Sequence, residues 1–368
     1  MRPLPYATAL LLLTAACTSG GEKSGRSPSP YEVPGPYPVG NVRFALSDSA
    51  GRVLLTEAWF PAAESERAAA DAGAPIENFV PAGTDHDDFV ALLASAPDPA
   101  TRRQTRSAPD GVPAADPALL PVVLFSHCHE CTRFSSFTIA ERLASWGYAV
   151  LAPDHQDNTL FDGLAGTGVE ITDDFLTLRG DDLALVLDSA LAPAAAAIPA
   201  AIRGRLDPAR VGIYGHSFGA ATVGRVLQED ARVTAGFAMG APVASPLFPS
   251  VTIAGVDDPF AMLLLEEDES IGSIGNNFIE QNFADATAPV WLIRLRSAGH
   301  WSVSDICGVV PDLGDGCIGT TEWVAIDEGR GAAAAWATAF FRLHLDGDAD
   351  AEDDLEDGLG LGAVDARN

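Results

Sequence analysis

An α/β fold, with a mostly parallel central sheet of about eight strands and helices on both faces, is what this sequence predicts. Three observations carry the expectation. From Pro121 onward, apolar runs of four to six residues alternate with stretches of helical spacing. Runs that short and that uniformly apolar read as strands buried on both faces, as parallel sheets require. One run, residues 211–214, leads directly into Gly215-His216-Ser217-Phe218-Gly219 and then into a small-residue helical stretch. The chain also has 368 residues, 47% of them hydrophobic, enough for a sizeable core.

Taken in order, residues 39–46 and 53–60 alternate like a hairpin opening a domain that runs over 37–345. Residues 61–120 are rich in Ala, Asp and Pro and read as a surface insertion holding one helix near 87–94. Residues 122–126 form a short strand, 134–146 have helical spacing, and 149–152 form a strand ended by Pro153. A long amphipathic helix is expected over 174–191, a strand over 211–214 and a helix over 217–227. Further strands follow at 235–239, 261–265 and 290–295, and a closing helix at 332–345. Residues 346–368 are acidic, with Asp at alternating places as in a calcium loop. They lack the Gly such a loop needs at its sixth position, so they read as a solvated helix end and tail. No internal repeat is present.

The chain starts Met1-Arg2, continues through Leu10-Leu11-Leu12-Leu13 and reaches Thr14-Ala15-Ala16-Cys17. A basic start, a short apolar run and small residues before a cleavage point read as an export signal over 1–16. The run is too short to span a bilayer. The Cys directly after small residues resembles a bacterial lipobox, which implies a lipid on Cys17 and an outer-membrane lipoprotein facing periplasm or cell surface. Residues 17–36 then read as the lipidated Cys and a Gly/Ser/Pro-rich tether. In this reading the membrane is met only through the lipid.

Net charge is −29. A field that negative argues against nucleic acid and anionic membrane surfaces as partners. With Cys17 lipidated, Cys128, Cys131, Cys307 and Cys317 remain. An exported chain meets an oxidising compartment, so two disulfides are expected. Three pairings are open to four cysteines. The local pairs Cys128–Cys131 and Cys307–Cys317 are favoured.

The strand, the G-x-S-x-G turn and the helix together form the nucleophile elbow of an α/β-hydrolase fold. The turn lifts the Ser217 hydroxyl to the top of the sheet, above a helix amino terminus that favours negative charge. A serine needs an adjacent base, and the chain order in this fold is Ser, acid, His. Only His300 and His344 follow Ser217. His344 falls in the closing helix among polar neighbours and reads as a surface residue. His300 follows the last strand in the loop Arg296-Ser297-Ala298-Gly299 and can reach over Ser217. For the acid, Asp268 is preferred, at the carboxyl end of the strand ending at Leu265, where active-site groups of parallel sheets sit. Glu267 and Asp258 are the alternatives, with Asp257 and Glu266 weaker. The backbone N–H groups of Phe218 and of His129, in the loop His127-Cys128-His129-Glu130-Cys131, are expected to form the oxyanion hole. Two His and two Cys so close also suggest zinc, but structural zinc ligands usually come from two separated loops. A disulfide stiffening the loop is the preferred reading, with no metal and no cofactor.

Three segments carry a family resemblance: 120–127, Gly147-Tyr148-Ala149-Val150 with Pro153-Asp154-His155, and Gly215–Thr222. They resemble platelet-activating-factor acetylhydrolases and their bacterial relatives, the dienelactone-hydrolase-like lipoproteins. Polyester hydrolases of the cutinase type are more distant. The opening residues 35–40 and Trp59-Phe60-Pro61 fit the same group. The resemblance implies a monomeric serine carboxylic ester hydrolase acting on a small-molecule or lipid ester of short acyl length through Ser217, His300 and an acid. Relatives usually have Gly where Cys128 stands. In the mammalian acetylhydrolases the acid follows the sixth strand, which here reads Met239-Gly240-Ala241 and offers no carboxylate. The cutinase-type placement supports Asp268 instead. Rival readings are a polyester or lactone hydrolase, a serine peptidase on the same triad, and an inactive relative serving as a surface binding protein.

Overall fold

The computed structural model describes residues 28–192, 195–319 and 321–367. The export signal and Cys17 lie outside the described residues. Strands β1 (Val39–Ser47) and β2 (Val53–Pro61) form the opening antiparallel hairpin. The remaining strands are β3 (Ala108–Pro109), β4 (Leu120–Ser126), β5 (Ala149–Pro153), β6 (Leu206–His216), β7 (Gly236–Met239), β8 (Phe260–Leu265), β9 (Val290–Leu295) and β10 (Gly362–Arg367). They join in one sheet, ordered β10-β9-β8-β7-β6-β4-β5-β2-β1-β3. The stretch from β5 to β9 is parallel throughout. Ten strands rather than about eight result from the two-residue β3 and from β10.

Helices α1 (Arg67–Ala72) and α2 (Thr84–Ser95) precede β4. They are followed by α3 (Phe137–Ser145), α4 (Leu160–Ala165), α5 (Asp173–Leu191), α6 (Phe218–Glu229), α7 (Gly272–Asp285), α8 (Ile326–Asp346) and α9 (Ala351–Glu356). Period-two alternation in β4 decides which layer each residue joins. Val123 and Phe125 meet Phe137, Leu143, Trp336 and Phe340 from α3 and α8. Val122 and Leu124 meet Leu183, Val186 and Val223 from α5 and α6. Both faces are therefore dry, which is why these strands read as unbroken apolar runs. No helix among the described residues is long and apolar enough to cross a membrane.

Four expectations need correction. The acidic stretch is folded over residues 346–367: Ala351 and Leu355, one helical turn apart, are fully buried, and β10 pairs with β9 along its whole length. Its few apolar residues do the docking, and the surrounding Asp residues conceal them in the composition. The segment 61–120 is more than a surface insertion, because Ile76, Phe79, Val80, Phe89 and Leu93 enter the core and Phe79 stacks on Phe134 at 4.9 Å. The tether stops short of residue 36. Tyr31 is buried with its ring 5.0 Å from Trp146, and the Gly35 N–H donates to Ser145 Oγ.

The fourth correction concerns His344, which is half-buried against Trp291 and Phe340. Burial pulls its pKa down to about 4. The unfolded chain takes this proton near pH 6.5, the folded chain only near 4, so stability is lost as pH falls through that window. By pH 4.5 the loss from this group is about 2 kcal/mol. Urea unfolding of His344→Gln should show a correspondingly smaller fall in stability between pH 7 and 4.5. A slope equal to that of the parent would rule the assignment out.

Candidate active site

The carboxyl ends of the parallel strands converge on one edge of the sheet. β6 ends at His216, and Ser217 follows with φ 57° and ψ −119°. Positive φ on a non-glycine residue is costly and is held here by its surroundings. The Ser217 N–H donates to the Met239 carbonyl at 2.8 Å, which clips the elbow to the end of β7. Two glycines make the turn sterically possible. A Cβ on Gly219 would stand 1.9 Å from the Ser126 carbonyl oxygen, and one on Gly215 would stand 2.2 Å from the Gly219 oxygen. The Phe218 N–H opens α6, where no intrahelical acceptor exists. Ser217 itself is part-exposed.

His300 Nδ1 lies 2.6 Å from Asp268 Oδ2. Both side chains are almost wholly buried. The carboxylate accepts the Nδ1 proton, so Nε2 carries the free lone pair. Asp268 Oδ1 in turn accepts the Ile271 N–H at 2.9 Å, which fixes the carboxylate rotamer. Glu266 and Glu267 of the same turn point to solvent, and Asp257 and Asp258 precede β8 at the opposite end of the sheet. Asp268 is thus the acid the structure brings to His300.

His216 occupies the variable place before the nucleophile and faces His300. The two ring centroids are 4.8 Å apart, and His216 Nε2 donates to the His300 carbonyl at 2.9 Å. Burial, and next the charge of His300, hold the His216 pKa well below the ordinary histidine value. It therefore stays neutral and works as a ring support. His300 is by this contact seated against the residue preceding Ser217.

Asp315 was not legible in the sequence as a site residue. Its Oδ2 accepts the N–H groups of Glu269 at 2.8 Å, Ser270 at 3.2 Å and His300 at 3.1 Å. One carboxylate thereby ties the acid turn to the base loop. Asp315 belongs to the loop closed by the Cys307–Cys317 disulfide. Asp315→Ala should lower kcat by about 10²-fold through displacement of His300 and Asp268, since small misplacements cost that much. Steady-state kinetics on any turned-over ester will measure it, and an unchanged kcat would show that the two loops hold themselves.

The loop after β4 is closed by the Cys128–Cys131 disulfide, as favoured from the sequence. With both sulfurs bonded to each other, this cluster does not supply the thiolates a zinc site would need. His127 is fully buried. Its Nε2 accepts the His155 N–H at 3.0 Å, so its Nδ1 is protonated and donates to the Cys128 carbonyl at 2.7 Å. His155 is held by Asp182 Oδ2 at its Nδ1, 2.9 Å, and by the Ser126 hydroxyl at its Nε2, 3.0 Å. Arg52 makes a forked pair with the same Asp182 at 2.9 and 3.2 Å. His129, the expected donor residue, is half-buried, with Nδ1 accepting from Asn158 Nδ2 at 2.7 Å and its ring 6.4 Å from Phe218. Apart from the His127–Cys128 contact, the pairs in this network lie 27 to 130 residues apart, so no local motif announces them.

Sheet order, nucleophile elbow and the His300–Asp268 pair define an α/β-hydrolase fold. The comparisons with known proteins agree. No family model matches the chain. A curated relative, a probable 1-alkyl-2-acetylglycerophosphocholine esterase of Arthroderma benhamiae, is 32% identical over 129 residues. That match spans 32% of this chain and 30% of the relative, so less than a third of the curated protein is represented. A ferulic acid esterase from Streptomyces cinnamoneus has a similar solved structure, with a TM-score of 0.64 at 22% identity over 85% of this chain and 91% of that one. The chain thus has the α/β-hydrolase fold, and its similarity runs to esterases, including the acetylhydrolase group that the motifs resemble.

Proposed function

We propose that the protein is a serine carboxylic ester hydrolase. The observation that supports this most directly is the buried His300–Asp268 pair at 2.6 Å, with His300 packed against His216, the residue before the serine of the strained elbow. Ser217 attacks the ester carbonyl, and His300 Nε2 takes its proton and passes it to the leaving alcohol. Asp268 holds the tautomer and stabilises the imidazolium. The N–H groups of Phe218 and His129 receive the developing oxyanion, and water then releases the acid from Ser217. No step calls for a cofactor. The curated relative and the structural neighbour are both named as esterases, which favours an ester over a peptide.

Short acyl esters are the preferred substrates, as small molecules or as lipids. Phe175, Phe218 and Phe248 pack together, with Phe218 directly after Ser217, which favours a small acyl group there. The protein is further proposed to act as a monomer, exported and anchored through lipid on Cys17. Detergent-phase partition lost in Cys17→Ala tests the anchor.

Purified protein should hydrolyse p-nitrophenyl acetate and butyrate faster than the octanoate, and should form a one-to-one adduct with a fluorophosphonate. A hydroxycinnamoyl ester and a polyester oligomer belong in the same panel, since the second relative acts on a ferulic ester by its name. Preference for either would redirect the substrate class within the esterase reading. Release of amines with esters untouched would favour a peptidase. A folded protein that neither hydrolyses esters nor takes the phosphonate would be the binding protein.

A further inference from the structure

We infer that Arg179 is a positioning residue for the oxyanion site: one buried guanidinium grips both halves of it, the loop after β4 and the residue after Ser217. The inference rests on the esterase reading above. Arg179 stands on α5, far from Ser217 in sequence, and is fully buried. Its Nη2 donates to the carbonyl of His127, two residues before the His129 donor. Its guanidinium carbon lies 4.5 Å from the centroid of the Phe218 ring, on the residue whose N–H is the other donor. The peptide and the ring belong to two elements far apart in sequence, which also meet through the His129 and Phe218 rings.

A role in stability alone explains this arginine poorly. Taking a guanidinium out of water is expensive unless it is fully bonded, and apolar residues of equal volume usually do better. Here Nε and Nη1 have no acceptor. The nearest carboxylate on its own helix, Asp182, is engaged by the Arg52 fork and by His155. The guanidinium thus has no carboxylate hydrogen-bond partner, and it lies against the ring of Phe218, the residue whose N–H is proposed to meet the negative charge that develops during attack. Fixed positive charge in a dry site stabilises such an oxyanion more than it would in water. Burial lowers the Arg179 pKa to about 9, which still leaves it a cation at neutral pH. The rest of the loop is already held by the His155–His127 bond and by the Cys128–Cys131 bridge. Arg179 adds the link between that loop and the elbow.

The test compares Arg179→Met and Arg179→Lys with the parent on p-nitrophenyl acetate, together with thermal unfolding of each. Met keeps the volume and removes the charge. Lys keeps the charge but cannot both donate to the His127 carbonyl and lie flat over Phe218. The expected result is a kcat fall of about 10²-fold in Arg179→Met and about tenfold in Arg179→Lys. KM should stay within about threefold, and the unfolding temperature of the Met variant should be equal or higher. Unchanged kcat in Arg179→Met would overturn the inference. So would a fall of kcat and unfolding temperature together, with KM rising in proportion, because that is a loosened fold. Should Arg179→Met fail to fold, Arg179→Lys decides alone: kcat equal to the parent rejects the clamp, and a tenfold loss at constant KM supports it. A parent inactive on every ester sinks the esterase reading and this inference together, whereas an active parent with an indifferent Arg179 sinks only the inference.

Discussion

Ser217→Ala should lower kcat for p-nitrophenyl acetate by about 10⁶-fold, the loss seen when the nucleophile of a working triad is removed. The elbow exists to present this hydroxyl. Its φ of 57° is tolerated only because the Met239 carbonyl clips the Ser217 N–H and because Gly215 and Gly219 leave room for the backbone. None of those contacts uses Oγ, so alanine should fold as serine does and the loss should be chemical. The same variant should fail to take a fluorophosphonate. Turnover within tenfold of the parent would remove Ser217 from the mechanism and leave the elbow as a structural turn.

Asp268→Asn should cost about 10⁴-fold in kcat with little change in fold. An amide keeps one oxygen, which can still accept the Ile271 N–H now bonded at 2.9 Å. It then turns its NH₂ toward His300 Nδ1, where a donor faces a donor. The imidazole must move its proton to Nε2, and the lone pair that should receive the Ser217 proton is lost. Glu267→Gln and Asp258→Asn are the matched controls and should change kcat less than about twofold, because Glu267 is solvent-exposed and Asp258 stands at the far end of β8. Loss in either control with Asp268→Asn still active would transfer the acid role away from the 2.6 Å contact.

Much of this is legible along the chain. The parallel strands were visible because both their faces are dry. The elbow was visible because strand, turn and helix are contiguous and the glycines stand at fixed places around Ser217. His300 followed from chain order, and both disulfides join near neighbours, three and ten residues apart. Composition misled wherever a few apolar residues do the docking inside a polar stretch. Phe79 and Phe89 within 61–120, and Ala351 and Leu355 beyond 346, are core residues surrounded by Asp, Ala and Pro.

The sequence by itself determined the layered α/β architecture and pointed to Ser217 and His300 as the candidate nucleophile and base, because each rests on periodicity or on the order of residues along the chain. Only the tertiary structure decided which of five carboxylates meets His300, that Asp315 ties the Asp268 turn to the His300 loop, and that Arg179 spans the loop after β4 and Phe218. The physical reason is the sheet order. Side chains from the ends of β4, β6, β8 and β9 and from α5 converge in space although they are dozens of residues apart, and their burial, not their spacing, selects the partners.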